Sequence, residues 1–205
     1  MTTTTISSTL PLRLMFHPSA VFEELSETRP SPSSVFFRFV IWMAAIPPIM
    51  AYLGASQFGW RLGAREALYL PNAQLLAISI GYFLALLFGF VSTAVISQWM
   101  ASTYGARHSL GIHFALVTLI GLPLVIGSII HLFPHVFINV LVLVPALIWS
   151  MYLLFRGLPV VLKISPERGM LMASSIIAYL LVASVSLLGI SVMLWGWGIG
   201  PAIGV

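Results

Sequence analysis

Near neutral pH, only five glutamates and five histidines in this 205-residue chain could move a proton or hold a metal, because it has no aspartate and no cysteine. Disulfides, thiolate metal sites and thiol nucleophiles are excluded together. Glu23, Glu24, Glu27, Glu66 and Glu167 all fall in polar segments, so no carboxylate pair is set in apolar surroundings for acid–base work. His131 and His135 have the four-residue spacing of helical metal ligands, yet Pro134 between them breaks the helix that would align them. They read as interfacial histidines flanking a turn. His113 sits just inside an apolar run, where a proton relay would have to operate on histidine alone. Serine is plentiful, but no Gly-x-Ser-x-Gly elbow and no orienting acid accompany it. The inventory points to a protein without catalytic residues, metal or cofactor.

The elements that must carry these residues follow from the charges. Only 7% of the residues are charged and 60% are hydrophobic, with a mean hydropathy of +1.06. Soluble domains carry about 25% charged residues. The uncharged stretches at 39–60, 67–106, 108–155 and 169–205 are 22, 40, 48 and 37 residues long. A hydrocarbon core of about 30 Å takes roughly 20 apolar residues per helix. Pro71-Asn72 and Ser102 to Gly105 trim the second stretch to one span, and Phe133-Pro134-His135 divides the third into two. Spans are predicted near 36–58, 74–99, 111–133, 136–155 and 170–195. The fold class is an all-α integral membrane bundle of five helices.

Lys and Arg set the predicted sidedness. With the N-terminus in the cytoplasm, Arg13, Arg29, Arg38, Arg107, Arg156, Lys163 and Arg168 lie inside, and only Arg61 and Arg65 outside. The N-terminus is therefore predicted to be cytoplasmic and the C-terminus external. Residues 1–11 read as a disordered tail, 12–34 as a cytoplasmic amphipathic segment and linker, 35–200 as the membrane domain and 201–205 as a short external tail. In the amphipathic segment, Pro18 opens a helix whose Val21, Phe22 and Leu25 share one face. That helix is expected along the membrane surface. A pI near 9.9 with a net charge of +4 scattered over separate loops gives no continuous face for nucleic acid.

Four features could carry function. Arg38 stands at the start of the first span, where a snorkelling anchor or a headgroup contact is expected. Gly81, Ala85, Gly89, Thr93 and Ser97 recur every four residues, a small-residue stripe that lets another helix pack closely, within the bundle or in a homo-oligomer. Pro47-Pro48, Pro123 and Pro145 predict kinks, whose freed carbonyls can line a transport cavity. The last cytoplasmic loop holds Arg156, Gly157, Pro159, Lys163, Pro166, Glu167 and Arg168. Gly157 is expected to stop the fourth helix, Val160 to Ile164 to dip into the interface, and Pro166 to start the next turn.

Tyr152, the Gly157-Leu158-Pro159 run, Lys163 to Arg168 and the early His17-Pro18-Ser19-Ala20-Val21-Phe22 segment resemble the Yip (Ypt-interacting protein) membrane family, in particular its bacterial members. The resemblance covers roughly 12–197. It implies an N-in, C-out five-helix bundle without a cofactor, in a bacterial inner membrane. Eukaryotic members act in vesicle traffic with Rab-type GTPases. Here the segment before the first span is only about 35 residues and lacks their Asp-Leu-Tyr/Trp-Gly-Pro motif, so a Rab-binding role is not carried over. The expected function is a non-enzymatic scaffold or membrane organiser working through its cytoplasmic face, with the bilayer and other membrane proteins as partners. The alternative is a transporter or channel for a small solute, lipid or ion, with its cavity at the proline-kinked helices.

Overall fold

The computed structural model describes residues 10–61 and 66–197. Two short helices, α1 (Leu10–Phe16) and α2 (Pro18–Glu27), precede five spans: Pro32–Phe58, Asn72–Thr103, Leu110–Leu132, Val136–Leu162 and Pro166–Gly196. All five are long and apolar enough to cross a membrane, with mean hydropathies from 1.7 to 2.4. Most of the expected 1–11 tail, Arg65 and the 201–205 tail lie outside the described residues; Leu10 and Pro11 belong to α1.

The boundaries follow from local chemistry. Ser31 caps the first span, accepting from the Ser34 amide at 3.2 Å, and Pro32 occupies the first turn, where no donor is needed. The helix widens into a π turn at Phe36–Val40 and runs on through Pro47 and Pro48. Gly59, at φ 66°, ends it in a conformation that costs glycine little. The second span ends at Tyr104-Gly105, with Gly105 at φ 82°. Phe133-Pro134 separates the third and fourth spans, as the proline predicted.

Spans two, three, four and five form a ring in which each packs against the next and the fifth returns to the second. The first span lies outside this ring, against the second and third. The third is the most enclosed, with Gly111 to Leu116 buried without a break. Packing is uneven along the ring. The fifth span buries only Gly169, Met172, Ala173 and Ile176, all in its first three turns, and the fourth buries residues only from Ser150 onward. The helices are thus tightly joined at the end carrying the Lys163 turn and looser towards the other.

Two expectations are corrected at that tight end. First, α1 and α2 are part of the bundle rather than a strap on the membrane surface: Leu14, Val21, Phe22 and Leu25 are at most 1% exposed. Their apolar face meets the third and fourth spans, while Glu23 and Glu27 stay outside. Second, Gly157 does not stop the fourth helix, which continues through Gly157 and Pro159 to Leu162. The stop is Lys163, in the left-handed region at φ 51°. Its amide donates to Val160 O and the Ile164 amide to Pro159 O, capping the last carbonyls. Val161 and Leu162 consequently enter the core instead of dipping into the interface.

Candidate functional site

Two places concentrate polar chemistry: the tight pole of the bundle and a groove within the ring. At the pole, the residues expected to form a contact loop divide by role. Gly157 is buried, and a Cβ there would stand 2.8 Å from Phe22 Cζ, so the missing side chain is what seats the Phe22 ring. Pro159 faces Gly169, where a Cβ would stand 2.9 Å from Pro159 Cβ. These two contacts interlock α2, the fourth span and the fifth. Arg156, Lys163, Pro166, Glu167 and Arg168 are exposed on the surface above them.

Lys163, Arg168 and the nearby Arg13 are held in place by partners from other parts of the chain. Lys163 Nζ donates to Glu27 Oε1 at 2.7 Å, and Arg13 Nη1 to Glu24 Oε2 at 2.7 Å. The hydrogen bond and charge of Lys163 hold the Glu27 carboxyl below the usual carboxylate range. With a lowered folded pKa, the pair contributes above that range and is lost as pH falls through it; full exposure keeps the contribution small. Arg168 Nη1 donates to Tyr104 O at 3.1 Å, joining the start of the fifth span to the end of the second. His108 Nε2 donates to Leu162 O at 3.0 Å, and Gln98 Nε2 to His108 O at 3.2 Å. Ser165 accepts from the Arg168 amide and Pro166 fills the first turn, as its position predicted.

Arg38 lies on the π turn, exposed, with its guanidinium 5.6 Å from the Phe39 ring centroid. His131 and His135 are not brought together as ligands: His131 Nδ1 meets Asn139 Oδ1, and His135 precedes the fourth span. Among the described residues no group of three metal-capable side chains exists.

The groove has a volume of about 780 Å³ and is walled by spans two to five. The whole stripe of Gly81, Ala85, Gly89, Thr93 and Ser97 lines it. Packing within the bundle is therefore not what Gly81 and Gly89 serve, since a Cβ at either would have no neighbour within 4 Å. None of Pro47, Pro48, Pro123 and Pro145 lines the groove, so the cavity is not where the prolines suggested. It exists because the fifth span docks only near the pole and leaves the wall of the second uncovered. Lining residues such as Leu188 and Ile190 are exposed, so the groove opens sideways to the surroundings of the bundle.

Polar groups line it at both ends, Thr93, Ser97 and Ser150 towards the pole and Tyr82, Ser184 and Ser191 away from it. Ser97 Oγ meets His113 Nδ1 at 2.9 Å, both fully buried. Thr93 Oγ1, Ser150 Oγ and His113 Nε2 are buried without a partner. Tyr179 of the fifth span donates to Ser92 Oγ of the second at 2.7 Å. Sequence reasoning missed Phe22, Glu27, His108 and Ser150 as members of these sites. Ser150 alone carried a local signal, as the one serine or threonine of the fourth span.

Comparison with known proteins fits this architecture. The chain matches the Yip1 domain over residues 12–188. It is 31% identical over 185 residues to inner membrane protein YohC of Escherichia coli K12, covering 90% of this chain and 95% of that one. The same protein from E. coli O6:H1 gives the same figures. No solved structure matches. The domain match begins two residues into α1, so the docked N-terminal helices are part of the shared unit. The chain therefore belongs to the Yip1 domain family, as a bacterial multi-pass inner-membrane protein.

Proposed function

We propose that the protein is a non-enzymatic scaffold that organises other membrane proteins at the cytoplasmic face of the inner membrane. The observation that carries this reading is the tight pole. Exposed Arg156, Lys163 and Arg168 stand on a base interlocked by Phe22 against Gly157 and Pro159 against Gly169. A rigid cationic surface binds with little ordering cost, which is what a docking platform requires. The excess of cations at this pole supports its cytoplasmic placement and the N-in, C-out orientation.

The test is site-specific crosslinking in living cells from position 160, which is exposed beside these cations. Wild type should give discrete adducts with other membrane proteins. Arg156→Ala with Lys163→Ala and Arg168→Ala should lose them while keeping its melting temperature in detergent within a few degrees. An unchanged adduct pattern would sink the scaffold reading. The groove favours one second reading, transport of a lipid rather than of a solute or ion, because its walls are predominantly apolar. Solute flux in liposomes should accordingly stay at the level of empty vesicles.

A further inference from the structure

We propose that the groove between spans two and five is a binding site for one phospholipid of the leaflet at the basic pole. The acyl chain would lie along the small-residue stripe, with its ester carbonyls meeting Thr93 and Ser150.

The first observation is the pair of unsatisfied hydroxyls. Serines and threonines in these spans normally return their proton to the preceding turn: Ser92 donates to Phe88 O, Thr118 to Phe114 O, Ser184 to Leu180 O and Ser191 to Leu187 O. Thr93 and Ser150, each 5% exposed, do not. Both line the groove. An unpaired hydroxyl in hydrocarbon costs about 1–3 kcal/mol, so both call for an acceptor from an occupant.

Depth identifies that acceptor. The second span has 32 residues, about 48 Å of helix against a core of about 30 Å, so roughly 9 Å extends beyond the core at each end. Ser97 is six residues from Thr103 and falls at the core's edge, with Thr93 one turn deeper. Ester carbonyls of a phospholipid sit at the core's edge, level with Ser97, so a lipid drawn one to two turns down the groove brings them to Thr93 and to Ser150, which is twelve residues before the end of the fourth span. The stripe from Ala77 to Ser97 rises about 30 Å, so an acyl chain from the near leaflet fits along it with length to spare.

Charge points the same way. A phosphate above the esters would lie at the pole that carries exposed Arg107, Arg156 and Arg168. A helix of a second copy satisfies the site less well, since its side chains hold its backbone carbonyls away from Thr93 and Ser150. The broadest exposed helix faces carry bulky apolar groups such as Leu181, Val182 and Val185. These would leave Thr93 and Ser150 unpaired.

The test uses the full chain in vesicles of phosphatidylethanolamine and phosphatidylglycerol, the latter carrying a diazirine in one acyl chain. Photolabel should concentrate on groove positions such as Ala85, Ile120 and Leu180. Gly89→Leu adds a side chain where nothing lies within 4 Å, and should abolish that labelling without unfolding the helix. Thr93→Val with Ser150→Ala should lower it about thirtyfold, the equivalent of two ordinary hydrogen bonds. Label spread evenly over all exposed spans, or labelling unchanged in the double variant, overturns the site. So does disulfide linkage of two copies through Gly89→Cys, which would place a second chain in the groove.

Discussion

Gly157 has a structural effect out of proportion to its size. In an exposed helix, glycine costs about 0.5–1 kcal/mol relative to alanine, so Gly→Ala ordinarily stabilises. Here the added methyl would stand 2.8 Å from Phe22 Cζ and 3.2 Å from Leu116 Cδ1, and the Phe22 ring, 1% exposed, has little room to retreat. Gly157→Ala should therefore destabilise by about 1–3 kcal/mol, the usual range for overpacking. Thermal unfolding in a mild detergent reads this directly, and stabilisation would contradict the seat. Phe22→Leu in the same chain should recover part of the loss, because neighbours that share a clash are not additive. The sequence placed Gly157 in a motif but assigned it the wrong task. Locally, Gly-Leu-Pro looks like a helix stop; what overrides it is a ring 135 positions earlier, and no local pattern encodes that contact. Thr93 and Ser97 show the reverse: their stripe was legible, and its use as a wall was not, because small residues admit either a helix or an empty space.

At the scale of elements, α2 marks the boundary of what periodicity can tell. Val21, Phe22 and Leu25 on one face and Glu23 and Glu27 on the other made the helix readable, but an apolar stripe fits a bilayer and a protein core equally well. Only the burial of Leu14, Val21, Phe22 and Leu25 against the spans separates the two. This gives a test with opposite outcomes. For a helix docked in the core, Leu25→Ala should lower the stability of the whole bundle by about 2–5 kcal/mol, as truncation of a buried leucine does. Glu23→Ala on the outer face should stay within about 0.5 kcal/mol of wild type. A surface strap predicts no effect on bundle melting from either change, so an unaltered melt for Leu25→Ala would restore the strap. The five spans were located from charge-free length, and each begins and ends within a few residues of its expected place, apart from the fourth. That helix runs on to Leu162 because Lys163 adopts the left-handed turn and the tight pole buries Val161 and Leu162.

The whole molecule is organised by one asymmetry: it is tightly packed and basic at one pole, and splayed and nearly free of charge at the other. Packing and charge have different origins, yet they mark the same pole. Cations resist transfer across the membrane, so the side with Arg107, Arg156, Lys163 and Arg168 is the one we propose to be cytoplasmic. The short turns at Gly105 and Lys163 draw spans two to five together on that side. Because the natural chain has no cysteine, single cysteines report sidedness without background. Ser102 and Gln57 are both exposed and lie at opposite ends of the bundle. In intact cells, a membrane-impermeant maleimide should label Gln57→Cys and leave Ser102→Cys unmodified, and permeabilising the inner membrane should make the two equal. Labelling of Ser102→Cys alone in intact cells would invert the bundle. The basic pole would then face outward, with neither a cytoplasmic partner for Arg156, Lys163 and Arg168 nor a docking platform to offer one.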